Sequence, residues 1–100
     1  MRFRSTRGGG GEVSFTEALL KGLAPDGGLF EPTEEPNLRN SIRAFDREIP
    51  FATMAGEMLT ALFPEEYPEG KGMEIAEKAF PFSPALKKIG DGIELLELFH

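Results

Sequence analysis

The sequence predicts a small mixed α/β (α+β) domain over residues 1–100, made of short strands, three helices and a C-terminal β-hairpin. Three observations carry that prediction. Met1 and Phe3 alternate with Arg2 and Arg4, the period-two pattern of a half-buried strand. Apolar residues recur at helical spacing in three separate segments. Gly90-Asp91-Gly92 parts two apolar runs, a hairpin signal because both glycines accept positive φ. A 40% hydrophobic composition with nine Phe predicts a folded chain with one core. At 11.0 kDa that core takes a smaller share of the surface out of water than in larger domains.

Strand one is followed by Gly8 to Gly11. Four glycines before a helix invite a phosphate-loop reading, but no Gly-Lys-Ser/Thr closes the motif, and a mobile connector is the plainer alternative. Ser14 and Glu17 have the S-x-x-E spacing of a capping box, in which each side chain satisfies a backbone N–H at the helix start. The spacing predicts a helix over 15–21, closed by Lys21 and Gly22. Phe15, Ala18 and Leu19 share its apolar face, with Leu20 and Leu23 widening the stripe, so the helix should lie against something apolar. Ala24-Pro25-Asp26-Gly27-Gly28 supplies the residues of a tight reversal, after which Leu29 and Phe30 run extended into Pro32.

Residues 31–40 read as irregular surface chain, and Ser41 to Asp46 as a short helical turn. Pro50 suits the first position of a helix ending near 63, whose face holds Phe51, Met54, Ala55, Met58, Leu59 and Leu62. Pro64 and Pro68 break it and expose Glu65, Glu66 and Glu69. Met73, Ala76, Ala79 and Phe80 mark a third helix over about 72–80, before Pro81. Ile93, Leu95, Leu96, Leu98 and Phe99 are apolar on both faces, as in a central strand, and helices packed on the hairpin would complete the core.

Seventeen acidic against eleven basic residues give a net charge of -6, which leaves nucleic-acid binding without an electrostatic driver. Arg2, Arg4 and Arg7 form the one basic cluster, expected on a solvated strand edge in preference to an anion site. The absence of cysteine excludes disulfides and thiolate zinc sites, and the single histidine excludes a multi-histidine metal site. No apolar run has membrane-spanning length, so a cytoplasmic protein without membrane contact is expected. The acids at 65, 66 and 69 lack the ladder of a cation loop and anything to split their pKa values, so acid–base hydrolysis there is poorly supported.

The strings S-T-R-G-G at 5–9, V-S-F-T-E-A-L-L-K-G-L-A-P-D-G-G-L-F at 13–30, A-F-P-F at 79–82 and E-L-F-H at 97–100 run in order along essentially the whole chain. In these the sequence resembles the N-terminal region of threonine synthases, pyridoxal-phosphate enzymes of fold type II. The resemblance implies a parent that converts O-phosphohomoserine and water to L-threonine and phosphate. In that family E-L-F-H is followed by G-P-T and then F-K-D, whose lysine forms the Schiff base. None of Lys21, Lys71, Lys78, Lys87 or Lys88 matches that lysine, so this chain is expected to be an inactive scaffold, without cofactor of its own, whose partner is the rest of the synthase.

By the same resemblance Ser5, Thr6, Arg7, Asp26, Gly27, Gly28 and His100 are the substrate-proximal candidates in the parent. The first three could face a phosphate, and the glycines could let backbone approach a ligand. Ordinary turn and edge chemistry is the competing explanation of each. His100 could position substrate or cofactor at a strand end, or stand free in solvent as a terminal residue. The alternative from another class is a stand-alone acidic interaction module that binds through its apolar strand and Met/Leu helix face. An exposed strand edge could pair two copies.

Overall fold

Hydrogen bonding along Met1 to Pro32 builds a three-stranded antiparallel sheet in the order β2-β1-β3. The structure, a computed structural model, describes residues 1–99. Strand β1 is Arg2–Ser5, β2 is Val13–Ser14 and β3 is Phe30–Pro32. Phe3 stands opposite Val13 on one side and Pro32 on the other. Pro32 closes an edge strand, where its missing N–H takes no ladder bond away. Arg2 and Arg4 are therefore on a central strand, not on the solvated edge expected of them, and Arg7 lies in the turn that follows. Their side chains still reach water, with Arg2 Nε at 3.9 Å from Glu12 and Arg4 Nε at 3.1 Å from Glu31.

Helix α1 spans Phe15–Lys21, as its cap predicts. The Glu17 backbone N–H donates to Ser14 Oγ at 3.1 Å. The reciprocal half of the capping box does not form, because Glu17 Oε1 accepts instead from Lys21 Nζ at 2.7 Å. An (i, i+4) ion pair has outcompeted a backbone contact. Ala18 is buried and Phe15 packs on Phe3 with ring centroids 6.0 Å apart. The rest of the predicted stripe is uncovered: Leu20 is 81% exposed. Met1–Leu38 forms one compact unit and Arg39–His100 a second.

The second unit contains α2 (Arg39–Ala44), α3 (Phe51–Leu62), α4 (Lys71–Ala79) and the hairpin β4 (Ala85–Gly90) with β5 (Ile93–Glu97). Pro50 is the N-cap of α3 in extended conformation, one position before the expected one, and its carbonyl accepts from Met54 N–H at 3.0 Å. Helices α3 and α4 meet at two glycines. A Cβ on Gly56 would stand 2.7 Å from Met73 Cα, and one on Gly72 would stand 2.5 Å from the Gly56 carbonyl oxygen. The missing side chains let the backbones touch. Phe80 adds an edge-to-face contact with Phe51 at 5.0 Å and a second with Phe82 at 6.0 Å.

Two expectations fail in this unit. The β5 run is not a central strand here: among the described residues it pairs only with β4. Helices do not cover the hairpin either, and Leu86, Ile89, Ile93, Leu95 and Leu96 all remain exposed. Helices α3 and α4 pack on each other instead, with Gly56 and Thr60 of α3 against Gly72 and Met73 of α4. Among the described residues the buried apolar side chains are small ones, Val13, Ala18 and Ala24 in the first unit and Ala76 in the second.

Candidate functional site

Six of the seven substrate-proximal candidates come together in the first unit, where the turn after β1 meets the turn before β3. His100 lies outside the described residues. Asp26 is the hub. Its Oδ1 accepts from the Ser5 hydroxyl at 2.6 Å and from Gly28 N–H at 3.0 Å, and its Oδ2 accepts from Gly9 N–H at 2.9 Å. Ser5 Oγ in turn accepts from Arg7 N–H at 3.1 Å. Ser5 is buried, so a hydroxyl with both a donor and an acceptor role satisfied is what the site requires.

Thr6 and Leu29 exchange two bonds across the gap: Thr6 N–H donates to Leu29 O at 2.8 Å, and Leu29 N–H donates to Thr6 Oγ1 at 3.0 Å. Arg7 lies over the second turn, where Nη1 donates to Asp26 O at 3.0 Å. Gly27 makes room for that guanidinium, because a Cβ there would stand 2.9 Å from Nη1, and its φ of 81° is one that other residues rarely adopt. At Gly28 a Cβ would run into the Ser5 hydroxyl oxygen.

Electrostatically the clasp favours the ionised carboxylate. The Ser5 hydrogen bond holds the Asp26 carboxyl below the usual carboxylate range, helped by the Gly28 and Gly9 N–H groups and the nearby Arg7 charge and opposed by partial burial. Gly9 thus points its donor at a carboxylate, so within the glycine loop that N–H is taken by Asp26 and not offered to a phosphate. A phosphate beside Asp26 would meet a fixed negative charge. Thr6, Arg7 and Gly27 are the exposed members of the group. Sequence reasoning named these residues one by one but missed their joining, and it weighed Gly9 only as part of a glycine run and not as a donor to Asp26; Asp26-Gly27-Gly28 with a serine on a preceding strand was the available signal.

No lysine stands among the clasp residues, so nothing in the clasp fits a Schiff base to pyridoxal phosphate. Lys21 is paired with Glu17, and Lys71 and Lys78 both pair with Glu74 at 3.0 and 3.1 Å, while Lys87 and Lys88 stand exposed on β4. Among the described residues no group of three or more His, Cys, Asp or Glu could hold a metal ion. No helix of the described residues is long and apolar enough to cross a membrane.

Comparison with known proteins agrees with the motif reading. The family model described as threonine synthase N terminus matches residues 2–80. Threonine synthase of Schizosaccharomyces pombe is 36% identical over 104 aligned residues, covering 98% of this chain and 20% of the yeast protein. That of Haemophilus influenzae is 35% identical over 89 residues, covering 89% of the chain and 20% of its own length. Human threonine synthase-like 2 is 35% identical over 107 residues, covering 100% of the chain and 22% of the human protein. No solved structure matches significantly. This chain spans about a fifth of the length of the curated relatives it matches. With 2–80 matched by one family model, and the clasp residues inside that range, the chain belongs to the threonine synthase N-terminal family.

Proposed function

We propose that residues 1–100 are a single scaffold domain of a cytoplasmic threonine synthase, whose whole length converts O-phosphohomoserine and water to L-threonine and phosphate with pyridoxal phosphate. Family membership carries this reading: curated threonine synthases align with the chain nearly end to end yet are about five times longer. The cofactor supplies the electron sink for the replacement chemistry, and the lysine that holds it belongs to the remainder of the synthase. On this reading the chain by itself is inactive and binds no cofactor.

What these residues contribute is position. Ser5, Asp26 and Gly28 fix two turns against each other, and Thr6, Arg7, Gly27 and His100 are the groups the clasp and the last strand would offer to the substrate side. The exposed Leu86, Ile89, Ile93, Leu95 and Leu96 of the β4–β5 hairpin support packing against the rest of the synthase, because clustered exposed apolar side chains mark interaction surfaces. Joining residues 1–100 to the remainder of a threonine synthase should yield threonine from O-phosphohomoserine. The chain alone, treated with pyridoxal phosphate and borohydride, should show no adduct at one preferred lysine. A specific adduct, or threonine made by the chain unaided, would overturn the reading.

A further inference from the structure

We infer that Asp91–Gly92, at the tip of the β4–β5 hairpin, is a site of spontaneous aspartate isomerisation, and that Asp26–Gly27, the same dipeptide, is protected by the clasp. The reaction is intramolecular. The backbone nitrogen of the glycine forms a bond to the aspartate Cγ, a carboxyl oxygen leaves as water and the nitrogen gives up its proton. The resulting five-membered imide then takes up water. Cleavage of its bond from the α-carbonyl carbon to nitrogen leaves the chain running through the aspartate side chain, as isoaspartate. Atoms balance with water alone, and no oxidant or reductant enters.

The step needs a free carboxyl carbon and a free nitrogen, and a following residue without Cβ eases their approach. Both sequences provide the glycine. At Asp26 the carboxylate is held by Ser5, Gly28 and Gly9, and the would-be nucleophile is also engaged, with Gly27 N–H donating to Ala24 O at 2.9 Å. The lowered pKa keeps that carboxyl in its ionised, less electrophilic form. At the hairpin tip neither group is engaged: Asp91 and Gly92 are exposed, and among the described residues no hydrogen bond reaches the Asp91 carboxylate or the Gly92 N–H. Isomerisation there adds a backbone atom to the turn that sets the pairing of Gly90 with Ile93.

The experiment is incubation of the 100-residue chain at neutral pH and body temperature, followed by peptide mapping with electron-transfer fragmentation. The peptide holding Asp91 should split into a second species of equal mass, with a transient form one water lighter, and should gain sites for an isoaspartyl methyltransferase. The peptide holding Asp26 should stay single. In urea both should split, and Asp91→Glu should lose the hairpin signal. Splitting of both peptides at one rate in the folded chain, splitting at Asp26 first, or no splitting of either even in urea would each overturn the assignment.

Discussion

Three donors converge on the Asp26 carboxylate, and its response to acid follows from them. The folded pKa is held below the ordinary value of 3.8, so as pH falls the unfolded chain takes the proton first. The clasp's contribution is therefore complete above the unfolded pKa and is lost as pH drops through the folded one. Ser5→Ala removes the largest cause of the shift. Its Asp26 should titrate closer to the ordinary value, and its urea midpoint should start lower at neutral pH but fall less on the way to about pH 2. Carboxyl-carbon NMR with urea curves at each pH measures both. Asp26→Asn cannot substitute, because an amide nitrogen would turn a donor toward the N–H of either Gly9 or Gly28, so its melting temperature should drop as well. Gly28→Ala places a methyl group on the Ser5 hydroxyl and should cost about 1–3 kcal/mol, read from chemical denaturation.

Between elements, the α3–α4 contact sets two effects against each other. Gly56→Ala improves helix propensity by about 1 kcal/mol. The same methyl group meets Met73 Cα at 2.7 Å and Met73 N at 3.0 Å, both backbone atoms that move only with α4 itself. Overpacking costs about 1–3 kcal/mol, so the net change in urea denaturation should be destabilising, and a stabilised variant would mean that α4 sits farther off. Ser14→Ala tests a simpler feature and should cost about 1 kcal/mol through its lost cap. Features of this local kind were legible in the sequence: Ser14 and Gly22 bound α1 where the capping chemistry puts them, and the Gly90-Asp91-Gly92 turn makes its hairpin. Features that depend on partners distant along the chain were not. Strand β2 is only two residues long and shows no periodicity to read, the Ser5–Asp26 bond joins positions 21 apart, and Gly56 looks like a flaw in a helix until Gly72 is set beside it. The candidate residues were named one by one through a family resemblance, with local turn chemistry as the competing explanation of each, whereas their role as a clasp rests on those distant bonds.

For the molecule as a whole, the hairpin is where local and global preferences disagree. Leu86 and Leu96 face each other across the strands and are 67% and 47% exposed, on the opposite side from Leu95. A pair of this kind stabilises its own hairpin only modestly, so its apolar character does little for the chain alone. If the rest of a synthase packs there, the substitutions Leu86→Lys and Leu96→Glu have effects that separate folding from docking. Opposite charges directly across an antiparallel pair keep the cross-strand attraction, and exposed positions tolerate the exchange, so the thermal midpoint of the 100-residue chain should stay nearly unchanged. Its tendency to associate at high concentration, followed by sedimentation, should fall as the apolar patch is interrupted. Joined to the remainder of a threonine synthase, the double variant should lose most threonine formation, because two charges would enter a desolvated interface. Full activity of the joined variant would place the covering surface elsewhere, and a large drop in the midpoint of the isolated chain would mean that these leucines already serve its own core.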